Sequence, residues 1–280
     1  MRQEIVFITG CSSGFGLLAT LKLANKNFFV IATMRDIHNQ SLLMELAREM
    51  GIEDNIKVLQ LDVTKQEQIA DIVSLIKVKY GRIDILINNA GECLGGISEL
   101  LSLEKWKMQF ETNFFSVVSI TNAFLPLMRE QKKGKIINIG SISGIIGLPG
   151  LGAYAASKFA LEGYSESLRY ELLPFNIYVS IVEAGSFNTN IWSKSFNTID
   201  GSLVTSEYDS FIKKIFEHAK EAAQQSEDPS LVISLITSIC SKNKPRLRYP
   251  IGKGVRFVSV IKNIIPSFII ERVIRKKLKI

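Results

Sequence analysis

Short apolar runs alternate with longer helical patterns along the first two thirds of the chain, and this alternation constrains the fold more than any other feature. Continuous β-branched and aromatic runs are typical of strands buried on both faces of a sheet. Strands that alternate with helices predict a parallel, doubly wound α/β sheet with right-handed crossovers. The predicted strands cover residues 4–9, 28–34, 57–61, 83–87, 135–139 and 177–182. The predicted helices cover about 14–25, 41–50, 65–79, 102–130 and 153–173.

The alternation stops after residue 182. Residues 183–205 contain glycine and several Asn and Ser, which is typical of a loop. Helices near 207–225 and 229–241 and a short strand at 246–249 are predicted to follow. We therefore predict one domain over 1–250, which includes this substrate loop and its helices. A basic extension over 251–280 is expected to pack on or beside it.

Cysteines and histidines are too few and too scattered for several kinds of site. Cys11, Cys93 and Cys240 form neither a disulfide framework nor a metal cluster. His38 and His218 are the only histidines, and they lie far apart in sequence. Zinc sites usually need three or four clustered N or S ligands, and a Ser-His-Asp hydrolase needs an oriented histidine base. We expect no metal site and no hydrolase of that type.

The N-terminus has no signal-peptide pattern and leads directly into a predicted strand. The best candidate for a membrane span, residues 255–274, is interrupted by four charged residues and a proline. We therefore predict a cytoplasmic protein.

The net charge of +7 comes from the tail alone. Residues 251–280 hold eight of the 34 Lys and Arg and one of the 27 acidic residues. We therefore expect no nucleic-acid partner for the main body. From Pro266 onward, apolar residues can share one helical face and basic residues another. This indicates either peripheral contact with an anionic membrane or a surface helix packed on the domain.

A glycine-rich loop follows the first predicted strand and opens the first helix. Glycines let the backbone turn tightly and approach a pyrophosphate, which the helix N-terminus then holds. The alternative is an ordinary glycine-rich βα turn. The candidate cofactor-binding residues of this loop are Gly10, Ser12, Ser13, Gly14, Phe15 and Gly16.

Polar side chains also end the third and fourth predicted strands. Asp62 precedes Val63, and Asn88, Asn89 and Ala90 follow the fourth strand. Open α/β sheets bind ligands at the carboxyl ends of their strands. A turn or helix cap is the alternative for Asp62, and a structural tie between loops is the alternative for the two asparagines.

Tyr154 and Lys158 are four residues apart on a predicted helix, so they share one face. A nearby lysine cation favours the phenolate and would lower the tyrosine pKa toward a value useful for acid/base work. Ser141, just past the fifth strand, could hold a substrate oxygen beside Tyr154, and Ser143 is a rival. Asn113 lies inside a helical pattern, where a bond to a backbone carbonyl or a water is expected.

The glycine loop of the form TGxxxGxG, the NNAG run, Asn113, Ser141 and the YxxxK pair together resemble the short-chain dehydrogenase/reductase family. The resemblance covers residues 4–190 and implies a Rossmann sheet of about seven parallel strands. It implies that Tyr154 is the general acid/base and that Lys158 binds the nicotinamide ribose and lowers the tyrosine pKa. It also implies that Ser141 positions the substrate carbonyl and that Asn113 holds a water in a proton relay.

The same resemblance implies that Asp62 and Val63 contact the adenine and that Asn89 and Ala90 lie near the cofactor ribose. Thr189 lies in a segment similar to the family's PGxxxT stretch near the nicotinamide, which implies that Thr189 binds the cofactor. Ala184 stands where the family usually has proline. The stretches 10–14, 32–36, 157–163 and 244–249 most resemble the 17β-hydroxysteroid and retinol dehydrogenase branch, which implies a bulky apolar substrate. Residues that could line an apolar pocket or belong to the core are Leu94, Ile145, Leu148, Phe187, Ile191 and Trp192.

The cofactor is predicted from the end of the second strand. Arg35 offers a guanidinium fork that suits a 2′-phosphate, and Ser12 could add a hydroxyl, whereas a carboxylate there would favour NAD. Asp36 is the complication. We favour NADP and keep NAD as the alternative.

These observations predict an NADP-dependent carbonyl reductase or alcohol dehydrogenase acting on a small apolar alcohol or carbonyl. The alternatives are a nucleotide-sensing protein without turnover and an epimerase or dehydratase of the extended relatives. Self-association into a homo-oligomer is a further hypothesis.

Overall fold

A computed structural model of the chain describes residues 2–189, 207–262 and 264–278. The described residues include seven strands in one sheet of order β3-β2-β1-β4-β5-β6-β7, and every neighbouring pair is parallel. This order and the helices on both faces confirm the predicted doubly wound Rossmann-type fold. The strands are β1 (Ile5–Ile8), β2 (Phe29–Met34), β3 (Ile56–Gln60), β4 (Ile85–Asn88), β5 (Gly134–Ile139), β6 (Ile177–Ala184) and β7 (Arg248–Ile251).

The central strands are continuously apolar because both faces of the sheet are covered. Successive side chains of a strand point to opposite faces. In β1, Val6 and Ile8 enter one core cluster, while Ile5 and Phe7 enter the other. A sheet buried on both sides needs no polar face, which explains the uninterrupted apolar runs.

Ten helices of the described residues surround the sheet. They are α1 (Gly14–Ala24), α2 (Ser41–Glu49), α3 (Gln66–Tyr80), α4 (Leu103–Phe110), α5 (Ser116–Gln131), α6 (Gly152–Leu172), α7 (Asp209–Gln224), α8 (Ser230–Ser241), α9 (Val255–Ile261) and α10 (Ser267–Leu278). Helices α1, α2 and α8 supply the core on one face, and α3, α5 and α6 supply it on the other.

The single helix predicted over 102–130 is interrupted. Helix α4 passes into a π-helical turn at Glu111–Phe115, and α5 follows without a loop. A π-turn widens the helix locally and preserves its direction, so the apolar periodicity on either side gives little sign of it. The interruption falls on Asn113, which the sequence pattern marks as an unusual mid-helix residue.

The C-terminal residues fold back onto the domain. Helix α9, which the sequence did not predict, packs on β7 and on a short 3₁₀ turn at Ile142–Gly144, and α10 packs on α7. Strand β7 crosses the boundary predicted at residue 250, so the division into a 1–250 domain and a 251–280 extension stays a prediction. Among the described residues, no helix is long and apolar enough to span a membrane.

Candidate active site

The strand order reverses at β1, and the candidate residues lie at the carboxyl ends of the strands around it. Strand β1 has β2 on one side and β4 on the other, so the crossovers leave in opposite directions. This switch point is where open α/β sheets bind ligands. The glycine loop, the residues after β4 and Ser141 after β5 all lie at this edge.

The glycine loop is tied to the end of β4 by a set of short hydrogen bonds. The Asn89 Nδ2 donates to the carbonyl oxygens of Thr9 at 2.8 Å and Gly10 at 3.0 Å. The Thr9 hydroxyl accepts from the backbone N–H groups of Asn89 and Ala90 at 3.0 and 2.9 Å. A Cβ on Gly10, whose φ is +72°, would lie 2.8 Å from the Ala90 Cα. The loop geometry therefore requires glycine there.

The start of helix α1 fits an anionic diphosphate group. The first turn of any α-helix leaves backbone N–H groups without intrahelical acceptors, and its dipole favours an anion. Ser13 occupies the N-cap but its side chain makes no capping bond. Gly14 has φ +58°, and Thr189 lies 3.7 Å from the position of its missing Cβ. The structure thus brings Thr189 to the glycine loop.

Other members of the predicted cofactor set have structural partners. Asp62 uses one carboxylate oxygen to accept from the Thr64 N–H at 3.0 Å and hydroxyl at 2.8 Å. This is the turn that the sequence offered as its alternative. Val63 is buried in the core, and the Phe15 ring packs against that of Phe187 at 5.8 Å.

Asn88 proves to be a structural tie. Its Nδ2 donates to Asn138 Oδ1 at 2.9 Å and to the Thr121 hydroxyl at 3.2 Å, which joins β4 to β5 and α5. Asn89 has the same kind of role through its amide group. Both asparagines therefore tie neighbouring segments together, which was the structural alternative for them. Asn89 also lies at the sheet edge that holds the glycine loop.

Arg35 follows directly after β2 and is exposed, while Ser12 in the glycine loop is half-buried. Asp36 accepts at one oxygen from the His38 N–H at 3.0 Å and at the other from the Asn39 amide at 3.2 Å. Its carboxylate therefore caps the 3₁₀ turn at Ile37–Gln40.

Tyr154, Ser141 and Lys158 are brought together and are all buried. The Ser141 hydroxyl lies close enough to the Tyr154 phenol to influence its pKa, and it accepts from the Ser143 N–H at 3.1 Å. The Lys158 Nζ lies 5.8 Å from the centroid of the Tyr154 ring and donates to the Ile139 carbonyl at 2.8 Å. Lys158 thus ties helix α6 to the end of β5.

Burial dominates the protonation of this group. It raises the pKa of Tyr154 above its ordinary value, and the nearby Ser141 hydroxyl opposes the rise only in part. Burial also lowers the pKa of Lys158 to about 8. The pKa of Tyr154 is thus raised, whereas the sequence implied that it would be lowered. The reason is that desolvation of the buried phenolate outweighs its favourable contacts.

The side-chain N–H groups of Asn113 are both hydrogen-bonded within the protein. Its Nδ2 donates to the Glu92 carbonyl at 2.9 Å and to the Ser157 hydroxyl at 3.2 Å, and its Oδ1 accepts from the Glu92 N–H at 2.9 Å. Both amide hydrogens are used, and one oxygen lone pair remains. The bond to a backbone carbonyl expected for this residue is present. The side chain links the segment after β4 to helix α6.

Sequence reasoning missed a charged cluster beside Lys158. Arg248 on β7 binds the carboxylates of Glu162, Glu166 and Glu183, with 2.8 Å to Glu166 and 3.0 Å to Glu183. Glu162 is one helical turn beyond Lys158, and its Oε1 is buried without a hydrogen-bond partner among the described residues. The four-residue spacing of Lys158 and Glu162 was visible in the sequence. The contact of α6 with Arg248 on β7 and Glu183 on β6 was not.

Cys93 was also not assigned a role by sequence. It is buried and interacts electrostatically with both Tyr154 and Lys158. Its position two residues after the NNAG run was the only hint.

The residues predicted to line a pocket divide between core and surface. Phe187 is buried in the core, whereas Leu148 is exposed in the loop that joins Ser141 to Tyr154. Leu94 and Ile145 are half-buried. Ile191 and Trp192 lie outside the described residues.

Comparison with known proteins agrees with this geometry. A family model described as short chain dehydrogenase matches residues 4–200. The chain is 42% identical to the uncharacterized oxidoreductase YusZ of Bacillus subtilis over 99% of both chains. It is 38% identical to 3-ketodihydrosphingosine reductase of Bacteroides thetaiotaomicron, over 88% of this chain and 87% of that one. Human retinol dehydrogenase 8 is 37% identical over 87% and 79% of the two chains.

Solved structures show the same architecture. A short-chain dehydrogenase from Streptomyces avermitilis superposes with a TM-score of 0.82 at 29% identity, over 100% of this chain and 98% of that chain. A single-substitution variant of actinorhodin polyketide ketoreductase with NADPH gives 0.77 at 26% identity, over 90% and 97%. A Burkholderia phymatum member solved in complex with NAD gives 0.78 over 94% of each chain, and its 21% identity supports the fold alone.

Proposed function

The chain belongs to the short-chain dehydrogenase/reductase family, and on that premise we propose that it interconverts an alcohol and a carbonyl on an apolar substrate with NADP. The observation that carries this proposal is the buried pairing of Tyr154 with Ser141, whose hydroxyl lies close to the phenol. It lies at the strand edge that also holds the glycine loop. Carbonyl reduction needs a proton donor and a hydride carrier at one site, and these two features supply places for both.

The bound nicotinamide would supply hydride to the carbonyl carbon. Tyr154 would donate its proton to the carbonyl oxygen as the alcohol forms, and Ser141 would hold that oxygen by a hydrogen bond. In the reverse direction the Tyr154 phenolate takes the proton of the alcohol. The raised pKa of Tyr154 keeps the phenol protonated at neutral pH, which suits the donor role in reduction.

Lys158 has two proposed tasks. With a pKa of about 8 it is mostly a cation at neutral pH, and a cation near the phenol favours the phenolate that remains after proton transfer. Its ammonium also has three donors, and the bond to the Ile139 carbonyl uses one of them. The remaining donors suit ribose hydroxyl oxygens of the cofactor.

We propose that Asn113, Asn89 and Ala90 position the segments around the site and do not touch the reacting atoms. Asn113 fixes the Glu92 segment against Ser157 on α6, and Asn89 fixes the glycine loop against β4. These bonds hold the segments around the site at a constant separation. Hydride transfer depends on such positioning, because reacting atoms must be held about 3–3.5 Å apart.

The charge distribution after β2 supports NADP over NAD. Asp36 uses both carboxylate oxygens in the turn that follows it, whereas the exposed Arg35 guanidinium is next to it at the strand end. A planar guanidinium can bind a 2′-phosphate through two parallel hydrogen bonds. The solved ketoreductase with NADPH is consistent with this choice.

The relatives and the exposed loop support an apolar alcohol or carbonyl substrate. The names of two relatives denote a reductase of a keto compound and a dehydrogenase of an alcohol, which are two directions of one reaction. Leu148 is exposed in the loop between Ser141 and Tyr154, and Ile145 is half-buried there. Apolar side chains next to the proposed proton donor suit a substrate with an alkyl or ring body.

The test is NADPH oxidation by the purified protein against aldehydes and ketones of increasing alkyl length, with charged keto acids as the matched set. We expect kcat/KM to rise about fourfold for each buried methylene, the equivalent of about 0.8 kcal/mol. Keto acids should react poorly. Binding of NADPH without oxidation by any carbonyl, and without reduction of NADP by the matching alcohols, would instead indicate a sensing protein.

A further inference from the structure

The two C-terminal helices carry an unusual density of exposed apolar side chains. Six of the nineteen large apolar residues exposed in the described part of the chain lie on α9, on α10 or between them. Ile264 is 74% exposed, and Phe257 and Phe268 are each 66% exposed. We name this set the tail patch: Phe257, Val260, Ile264, Phe268, Ile269 and Val273.

The apolar residues of helix α10 form two neighbouring stripes that differ in exposure. Ile270 and Ile274 are half-buried, and α10 packs on α7, whereas Ile269 and Val273 are exposed. Residues four apart lie on one side of a helix, so each pair forms its own stripe. The inner stripe accounts for packing on the domain, but the outer stripe needs another explanation.

Basic residues border the outer stripe. Arg272 and Lys276 are exposed and lie three residues after Ile269 and Val273, and Lys253 and Arg256 are exposed beside α9. Arg275 pairs with Glu271 at 3.6 Å. Glu271 is the single acidic residue among 251–280, which hold the whole excess of positive charge. Apolar side chains flanked by Arg and Lys are typical of helices that lie in a membrane interface.

The tail patch is attached to the part of the domain that carries the candidate active site. The Lys262 Nζ donates to the Ile145 carbonyl and lies 4.4 Å from the Phe159 ring centroid. A Cβ on Gly150 would lie 2.8 Å from Ile215 on α7, the helix beneath α10. Both attachments reach the loop between Ser141 and Tyr154. A surface that binds α9 and α10 would therefore lie near the loop that carries Ile145 and Leu148.

We propose that α9 and α10 dock the protein on the surface of an anionic lipid bilayer. The apolar side chains of the tail patch enter the boundary between headgroups and acyl chains, and the flanking Arg and Lys bind the anionic headgroups. The excess positive charge of this segment selects an anionic lipid surface over a second copy of the chain, which would bring like charges together. The inference concerns binding alone and stands apart from the proposed reaction.

Co-sedimentation of the full chain with vesicles tests the proposal. Vesicles of phosphatidylcholine with phosphatidylglycerol are compared with vesicles of phosphatidylcholine alone, at low and raised salt. We expect binding to the anionic vesicles, weaker binding as salt rises, and little binding to the neutral ones. Absence of binding to anionic vesicles at low salt would overturn the proposal.

Paired variants locate the surface. Arg272→Glu with Lys276→Glu should lower the partition coefficient by at least about thirty-fold, since each lost basic residue contributes about a factor of five and the new carboxylates are repelled by the anionic surface. Adding Phe257→Ser and Phe268→Ser to this variant should lower the partition coefficient further, because apolar area that enters the bilayer is lost. The matched controls, Lys77→Glu with Lys79→Glu and Val78→Ser, change exposed residues of α3 and should bind as the wild type does.

Circular dichroism melting of every variant checks that the fold is retained. Equal loss in the α3 controls would show a general charge effect and contradict the proposal. If the α9 and α10 variants instead shift the sedimentation coefficient without changing vesicle binding, the tail patch joins two copies of the chain and the proposal is wrong.

Discussion

The Ser141 hydroxyl lies close to the Tyr154 phenol and accepts from the backbone N–H of Ser143 at 3.1 Å. The bond from the Ser143 N–H occupies one lone pair of the Ser141 oxygen and so restricts the orientation of the hydroxyl group. Ser141 is therefore held ready toward the proposed proton donor before substrate binds.

Ser141→Ala should lower kcat by about a hundredfold, within the range for a group that assists proton transfer. Ser143→Ala is the matched control, because Ser143 contributes its backbone N–H to Ser141 and the substitution keeps that group. We expect its kcat to stay within about threefold of wild type, on the same scale. Steady-state kinetics of both variants test this prediction. A larger loss of kcat in Ser143→Ala than in Ser141→Ala would assign the substrate-positioning role to Ser143.

Arg35→Asp should shift the cofactor preference toward NAD. Loss of a charge-assisted pair costs about 1.5–3 kcal/mol, so the ratio of kcat/KM for NADP over NAD should fall about ten- to a hundredfold. Arg48→Asp removes an exposed arginine of helix α2 and serves as the control for net charge. An unchanged ratio in Arg35→Asp would remove the basis for preferring NADP.

Gly16→Ala should weaken dinucleotide binding at least tenfold. A Cβ there would overlap the Gly10 carbonyl oxygen and lie 2.6 Å from the Asn89 Nδ2, so the tie between the glycine loop and β4 must shift. Overpacking of this kind costs about 1–3 kcal/mol. NADPH fluorescence titration measures the effect.

Gly163→Ala is the control for that substitution. Gly163 lies within helix α6 and has open space where a Cβ would be. Alanine there should raise the free energy of unfolding by about 0.5–1 kcal/mol and leave NADPH binding unchanged. Unaltered binding in Gly16→Ala would show that the loop does not form the phosphate site.

Glu162 should make the stability depend on pH. Burial and the nearby Glu183 raise its pKa from 4.5 to about 7, because three carboxylates share the one Arg248 cation. Between these values the folded state holds a proton that the unfolded chain has released. The free energy of unfolding contributed by Glu162 therefore falls as pH rises from 4.5 to about 7, by up to about 3 kcal/mol.

Urea unfolding at about pH 4.5 and pH 7, the two ends of that range, measures this contribution. Glu162→Gln should remove most of the difference between the two pH values. Glu166→Gln, which changes an exposed carboxylate on the same arginine, should keep the wild-type difference. The same pH dependence in wild type and Glu162→Gln would assign the proton to another group.

Much of the sheet could be predicted from sequence because the central strands are buried on both faces and carry nearly continuous apolar runs. The run around Phe7 and Ile8 is an example. Helix α9 was missed because its residues 255–261 are interrupted by a charge and show no clear apolar face. The π-turn at Asn113 was missed because one extra residue hardly changes the apolar spacing.

The candidate site was predictable where one loop or one helix turn carries the signal. Gly10, Gly14 and Gly16 fix a backbone path, and Tyr154 and Lys158 share a face of α6. Contacts between distant segments were not predictable. The bond from Asn89 to Gly10 and the meeting of Arg248 with Glu162 depend on the order of strands in the sheet.

The protonation of Tyr154 shows the same limit. Sequence placed a cation four residues away and implied a lowered pKa. In the folded chain the Lys158 Nζ is bound to the Ile139 carbonyl, and burial raises the pKa of the phenol instead. Desolvation depends on everything packed around a group, and spacing along a helix does not report it.

The most direct test of the account is Tyr154→Phe, measured by turnover and by NADPH binding on the same preparation. Removal of the hydroxyl takes away the proposed proton donor and leaves the ring and Lys158 in place. We predict a loss in kcat of about a thousandfold or more, with the Kd for NADPH within about threefold of wild type. Turnover that stays near the wild-type value, with binding unchanged, would contradict the assignment of Tyr154 as the proton donor.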